Sequence, residues 1–450
     1  LADAAPSLNP TRLDPQRLAW GVILISFAVF CALCLVAGIG VNYFLFQSNI
    51  PMDSEMIVGR GTGAVAGQAA YDQKALSTGD DIKTDPQSQV TLFFHDPQSN
   101  ERLVASLTLR GGSSVRLRRA MRPRFDWSSS SYEVELQNFT GEADIFVVKD
   151  LSRSFRMTIT TLNDVRADVG GSGQYSLSVS DARVKLVNLD GLASLIPLQA
   201  QESGRVVPVN GQAVVYLNQP NDVVVSSTTT NLLANSTFQE VIAPSGSGAM
   251  VTDWGCYDSP TQYPANSDKK PISGEFLPEV KDGRATLRIV RDQGAEDHGE
   301  THCLQYFGQN RRDVTAYTYL AIRATFNISY QSLSACGQTG SECPLMLKLD
   351  YIDRNGRGQQ WLHGFYARTY PGYDYPLRCL TCALDHEQIN DKSWYTYDSG
   401  NLFTLLPDDQ KPTSIVSIHF YVSGHQYDVY VGEVSLLAGQ AEALPPVGGS

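Results

Sequence analysis

Residues 18–41 read LAWGVILISFAVFCALCLVAGIGV, twenty-four positions without a charged side chain. About twenty apolar residues in helical form cross the hydrocarbon of a bilayer, so this run can span it with some tilt. Trp20 stands near one end, and Asn42, Tyr43, Phe44, Leu45 and Phe46 form an aromatic exit at the other. Rings of this kind settle at the headgroups. A cleaved leader would carry a shorter apolar core and a small-residue cleavage site. The expected element is therefore a transmembrane helix within residues 18–46. Arg12 and Arg17 precede it, whereas Asp53 and Glu55 follow before Arg60. The basic flank stays inside. The expectation is a single-pass chain in the cell membrane, with residues 1–17 cytoplasmic, the bulk extracytoplasmic and membrane lipid as a partner. Gly38 and Gly40 would let a second helix approach closely.

Beyond the helix the composition changes. The 450 residues call for two or three domains. Long runs of Ala, Leu, Glu and Lys are scarce after residue 50, while Val, Thr, Tyr, Ser and Gly abound. That balance favours strands and turns, so the expected fold class is all-β. A net charge of −12 argues against a nucleic-acid partner. Cys31 and Cys34 lie in the apolar run, and the other six cysteines fall at 256, 303, 336, 343, 379 and 382. An even number behind a membrane anchor points to disulfides in an oxidising compartment. Fifteen pairings are possible; Cys256–Cys303, Cys336–Cys343 and Cys379–Cys382 are the ones expected. The rival for Cys379-Leu-Thr-Cys382 is a zinc or redox motif, but no second CxxC accompanies it.

Between residues 57 and 228, short alternating runs recur between turn residues. Gln89–Phe94, Ser114–Leu117, Tyr132–Leu136, Ala143–Val148, Tyr175–Val179, Arg183–Val187 and Ala213–Leu217 all read as strands. Their close spacing implies stacked antiparallel pairs or a solenoid-like arrangement. The stretch from Leu76 to Leu92 contains Leu76-Ser-Thr-Gly-Asp-Asp-Ile-Lys-Thr84, in which glycine permits a tight turn and Asp and Thr bond turn amides. With the later Val206-Val-Pro-Val-Asn-Gly-Gln212, it resembles FecR-type domains, which place L-x-x-G-D-x-I-x-T before a strand. The resemblance implies a β-rich extracytoplasmic interaction domain over 57–228, with an envelope-sensor role as one reading. Classical FecR regulators carry a helical sigma-factor-binding region before the anchor, and here only about seventeen residues precede it, which leaves the signalling role in doubt. Arg116, Arg118, Arg119, Arg122 and Arg124 form a basic cluster in this acidic chain. It reads either as a dock for an acidic partner or as a solvated strand edge.

Residues 229–440 read as a second unit, with strands at Ala285–Val290, Tyr319–Phe326, Leu345–Asp350 and Ser414–Tyr421, and the tail at 441–450 as disordered. Its opening Asn231-Leu-Leu-Ala-Asn-Ser-Thr-Phe238 and closing Tyr427-Asp-Val-Tyr-Val-Gly-Glu-Val-Ser-Leu436 resemble the galactose-binding-like jelly roll of many carbohydrate-binding modules. That resemblance implies a β-sandwich. It also raises a structural calcium at Asp428 and Glu433, and glycans as a ligand class. Trp361, Tyr366, Tyr370, Tyr373, Tyr375 and Trp394 would then form an aromatic platform for sugar rings; the competing reading places Trp361 and Tyr366 in a core. His298 and His302 have metal-ligand spacing only on a helix, and Asp353-Arg-Asn-Gly-Arg357 reads as a hairpin turn. With no nucleophile, metalloprotease or phosphate-loop motif, the expectation is a non-enzymatic protein without a cofactor. Its role would be that of an accessory or structural subunit among other membrane or envelope proteins. Surface carbohydrate binding is the alternative.

Overall fold

The computed structural model describes residues 15–99, 102–227, 229–242, 250–264, 267–292 and 294–440. Arg12 with most of the N-terminal segment, and the tail at 441–450, lie outside them. Helix α1 (Pro15–Phe46) runs for 32 residues with none buried, and its length and apolar composition suffice to cross a membrane. Apart from isolated single turns, the rest of the regular structure is strand, so the chain is all-β beyond its helix.

The first lobe holds β1 (Asn49–Pro51), β2 (Asp53–Arg60), β3 (Gln73–Ala75), β4 (Asp81–Thr84), β5 (Gln89–Asp96), β6 (Arg102–Leu109) and β7 (Ser114–Pro123). It continues with β8 (Tyr132–Val147), β9 (Phe155–Thr161), β10 (Val165–Val179), β11 (Arg183–Pro197), β12 (Gly211–Tyr216) and β13 (Val223–Ser227). All belong to one sixteen-stranded sheet, ordered β13-β12-β11-β10-β9-β8-β6-β5-β2-β3, with β1, β4 and β8 also pairing with β7. The two strands expected at Tyr132–Leu136 and Ala143–Val148 are a single one, β8. Asn138 (φ 55°) and Gly141 (φ 89°) bend it, and a Cβ on Gly141 would lie 2.4 Å from Ser113 Oγ. The bend lets its first half pair with β7 and β9 and its second half with β6 and β10. Alternate residues, among them Phe94, Leu107, Phe139, Met157, Leu177 and Leu186, fill the core.

The turn before β4 works as its residues suggest. Gly79 (φ 98°) donates to the Leu117 carbonyl at 2.7 Å, and the Asp80 carboxylate accepts from Ser77 N at 2.8 Å. Ile82 is fully buried, and Thr84 Oγ1 donates to the Arg110 carbonyl at 2.7 Å.

The second lobe is a β-sandwich of β14 (Gly255–Pro260), β15 (Glu275–Lys281), β16 (Arg284–Arg291), β17 (Gly299–Tyr306) and β18 (Tyr319–Gln331), followed by β19 (Leu345–Asp353), β20 (Gly358–Tyr366), β21 (Trp394–Asp398), β22 (Pro412–Gly424) and β23 (Tyr427–Gly439). Its six-stranded sheet runs β15-β16-β23-β18-β21 and its seven-stranded sheet β14-β17-β22-β19-β20, each with short additions. Ile322, Phe326, Leu347, Phe365, Phe420, Val429 and Val434 pack between the two sheets. The three disulfides are Cys256–Cys303, Cys336–Cys343 and Cys379–Cys382. Cys256 and Cys303 face each other across β14 and β17; the other two staple loops over the outer face of the seven-stranded sheet, with Met346 and Tyr366 beneath them.

Candidate functional site

The outer face of the six-stranded sheet packs against the first lobe. Trp394 lies among Phe93, Leu103, Phe146 and Val148 of that lobe, and its indole donates to Asp282 at 2.8 Å. The Gln89 amide acts as a neighbouring strand for β21: it donates to the Thr396 carbonyl at 2.9 Å and accepts from Thr396 N at 2.8 Å. Asn390 donates to the Gly59 and Val58 carbonyls, both at 2.8 Å. Arg60 meets Glu387 at 2.5 Å, and Tyr395 OH donates to the same carboxylate at 2.6 Å.

A charged cluster sits beside these contacts. Asp144 Oδ2 accepts from Arg110 Nε at 3.0 Å and Nη2 at 2.9 Å, while its Oδ1 lies 3.0 Å from Arg323 Nη2. Arg323 Nε is 3.7 Å from Glu433, and Arg110 Nη1 is 3.8 Å from Asp398. Burial acts to raise the Asp144 carboxyl, yet Arg110 and Arg323 hold it at about 2. Arg284 stacks on Phe146, 3.7 Å from the ring centroid, and burial is the main cause lowering its guanidinium to about 10. A cavity of about 970 Å³ opens alongside, lined from both lobes by Arg102, Lys149, Asn210, Asn231, Arg284 and Glu433 among others.

Glu433 reaches this layer through a β-bulge. Tyr427, Val429 and Val431 point into the sandwich, but so do Val434 and Leu436. The register slips by one residue between Val431 and Glu433, leaving Gly432 as the extra position. Glu433 is thereby turned out toward Arg323, where Ser435 Oγ donates to it at 2.8 Å. Asp428 instead takes a two-pronged ion pair from Arg288, at 2.9 and 3.0 Å. The two carboxylates expected at a calcium thus turn to separate arginines, Asp428 to Arg288 and Glu433 to Arg323.

The expected sugar platform is dispersed. Trp361, Tyr366 and Trp394 are 3%, 5% and 5% exposed. Trp361 is part of the sandwich core, Tyr366 lies under the disulfide-stapled loops, and Trp394 lies between the lobes. Strand alternation placed these rings on covered faces. Tyr370 spends its hydroxyl on the Gln331 carbonyl at 3.1 Å, whereas Tyr373 is exposed and lies 5.4 Å from Tyr375. The basic cluster is also spoken for. Arg116 pairs with Asp81 through two 2.7 Å bonds, Arg118 with Glu135 at 2.5 Å, and Arg119 with Glu135 at 3.0 Å. Arg122 is fully buried against Asp96 and Asp126, at 2.5 and 2.6 Å. These four arginines are thus each paired with a carboxylate; Arg124 stands apart, over the Phe44 ring.

The open part of the seven-stranded sheet presents a different group. Tyr257, His302 and Tyr421 lie side by side on β14, β17 and β22, with ring centroids 4.7 and 4.9 Å apart. Glu300 pairs with His302 at 3.1 Å and accepts from Ser423 at 3.0 Å. Nearby on the sheet, burial would raise the Asp350 carboxyl, but His419, Ser417 and Lys348 keep it at about 2. This ladder escaped the sequence reading, although the inward Cys303 and Phe420 imply by alternation that His302 and Tyr421 face out. His298 lies in the loop before β17 and contacts Glu342 at 2.6 Å, while His302 is on the strand, so the pair does not share a helix. Asp353 caps its hairpin turn, accepting from Asn355 N and Arg357 N at 2.8 and 2.9 Å.

No family model and no curated protein matches the chain. Among solved structures, a candidate anti-sigma factor from Parabacteroides distasonis aligns at 15% identity and TM-score 0.23, over 33% of this chain and 59% of that one. The family 11 carbohydrate-binding module of Clostridium thermocellum Lic26A-Cel5E aligns at 13% identity and TM-score 0.25, over 48% of this chain and all of the module. The CBM22-1 xylan-binding domain of Paenibacillus barcinonensis Xyn10C aligns at 12% identity and TM-score 0.26, covering 48% and 99%. Values this low leave function to the chain's own geometry.

Proposed function

We propose that the chain is a non-catalytic, single-pass membrane-anchored protein whose two-lobed β body stands outside the cytoplasm as an accessory or assembly subunit of a membrane or envelope complex. The observation that carries this reading is the stiffness of the join between helix and body. Only Gln47 and Ser48 separate α1 from β1; Gln47 N donates to the Tyr43 carbonyl at 2.8 Å and Ser48 Oγ to the Phe44 carbonyl at 2.5 Å. A captor of soluble ligands gains reach from a long flexible tether. A body held at one height and angle suits a partner fixed in the same membrane. The disulfides favour an oxidising exterior, and Arg17 on the entry side favours a cytoplasmic N-terminus.

The test is insertion of a ten-residue Gly-Ser segment between Gln47 and Ser48, followed by native purification in mild detergent. The unmodified chain should co-purify at fixed stoichiometry with another membrane protein, and the insertion should reduce that yield at least tenfold while the body stays folded. A strictly monomeric unmodified chain, or full retention by the insertion variant, would refute the proposal. The Tyr257–His302–Tyr421 ladder favours glycan binding as a second reading, testable by affinity electrophoresis of Tyr257→Ala.

A further inference from the structure

We infer that the loop Arg124–Ser130 is a foot set in the bilayer interface, where Phe125 and Trp127 lie among phospholipid headgroups and Arg124 faces their phosphates. The inference rests on the anchor reading above and goes beyond it, because it concerns the β body rather than the helix.

The loop closes over the end of α1. Trp127 Nε1 donates to the Leu45 carbonyl at 3.2 Å, and Ser128 and Ser130 Oγ donate to the Phe46 carbonyl at 2.5 and 3.3 Å. Arg124 N donates to the Ser48 carbonyl at 2.9 Å. The bonds to Leu45 and Phe46 satisfy carbonyls that a helix end leaves without partners. The rings continue the connection: Phe44 meets Phe125 edge-on at 5.5 Å, Phe125 stacks on Trp127 at 4.6 Å, and the Arg124 guanidinium lies 5.4 Å from the Phe44 centroid.

Depth follows from the helix. The uncharged run of Leu18–Val41 covers about 36 Å at 1.5 Å per residue, slightly more than the roughly 30 Å of hydrocarbon. Phe44 to Phe46 then fall in the headgroup layer, and whatever is bonded to their carbonyls shares that depth. Trp127 is nevertheless 62% exposed. In water that ring would be an unrewarded apolar surface, whereas at a bilayer interface its apolar body and polar N–H both find partners.

The charges agree with this placement. Asp126 is the exposed acid of the loop, and one of its oxygens contacts both Arg122 (2.6 Å) and Arg153 (3.4 Å). Arg122 also holds the buried Asp96. Arg124 has no carboxylate within salt-bridge distance among the described residues, and its side chain is exposed. A phosphate is the counter-ion the interface offers. Tyr43, Phe44 and Phe46 from the helix, with Phe125 and Trp127 from the body, thus form one aromatic belt that fixes rotation and tilt.

The full chain reconstituted in phosphatidylcholine vesicles tests this by tryptophan quenching with lipids brominated at carbons 6 and 7 or 11 and 12. Trp254, Trp361 and Trp394 are buried in the body, and Trp20 reports insertion of the helix. The difference between the unmodified chain and Trp127→Phe isolates Trp127. Its emission should fall at least twofold with the shallow bromines and less with the deep ones. Quenching of Trp20 without any quenching of Trp127 would overturn the foot while leaving the anchor intact. A chain that does not float with the vesicles would overturn the anchor reading and the foot with it.

Discussion

Replacing Asp144 by Asn keeps the side-chain shape and removes one negative charge between the lobes. Asp144 is 10% exposed at its side chain, and Arg110 and Arg323 are 20% and 12% exposed. Without the carboxylate the two guanidiniums retain, among the described residues, Asp398 at 3.8 Å and Glu433 at 3.7 Å, with Arg284 close by. Removing one partner of a buried ion pair costs about 3–5 kcal/mol. Because the arginines keep these distant acids, we expect a loss of about 3 kcal/mol. Urea unfolding of the detergent-solubilised chain, followed by tryptophan fluorescence and far-ultraviolet dichroism, measures it. The interface Trp394 should report separation of the lobes before the strands melt. Arg323→Met should be sub-additive with Asp144→Asn, since both break one contact. Acid supplies a second readout. Arg110 and Arg323 hold the Asp144 carboxyl at about 2 in the folded chain against an ordinary 3.8, a difference on the order of 2 kcal/mol. That contribution is complete above pH ~4 and is lost as the pH falls toward ~2. The gap between the unmodified chain and Asp144→Asn should therefore narrow over that window. A change below about 0.5 kcal/mol at pH 7, or strict additivity with Arg323→Met, would refute the view that this cluster joins the lobes.

Other substitutions separate rings that pack from rings that face out. Trp361→Ala should lower stability by about 3–5 kcal/mol in the same unfolding assay, as for a buried aromatic core residue, whereas Tyr257→Ala, at 48% exposure, should change it by less than about 1 kcal/mol. Comparable losses in the two would contradict the assigned faces. Gly173 has φ 151°, and a Cβ there would lie 1.8 Å from the Asp190 carbonyl oxygen. Gly173→Ala should cost more than about 2 kcal/mol by forcing β10 away from β11, and a thermal midpoint equal to that of the unmodified chain would remove the steric argument.

Much of the architecture was legible because it rests on local physics. The uncharged run of Leu18–Val41 needs nothing beyond its own apolarity to form a membrane-length helix. The turn at Gly79 and Asp80 uses bonds within a few residues, and the alternation in Gln89–Phe94 or Leu345–Asp350 marks strands wherever they pair. The cysteine pairs were within reach as well, two of them being close neighbours in the chain. The aromatic platform failed for a definite reason. Alternation says that successive residues face opposite sides, but it is silent on which sides are covered. Trp394 reads as an exposed ring until the first lobe is seen against it, and Arg116 to Arg122 read as a basic patch until Asp81, Glu135 and Asp96 arrive from other strands.

From its residues alone the chain specifies an apolar helix, a strand-rich remainder, its turns and the two short-range disulfides, because each depends on neighbours close in sequence. The packing of one lobe on the other decided which polar groups are buried and which rings remain outside. A single bulge at Gly432 sent Glu433 to the interface, and the loop after β7 reached back to cap the helix. Those outcomes depend on contacts between segments far apart along the chain, whose pairing is settled only when two surfaces exclude water together.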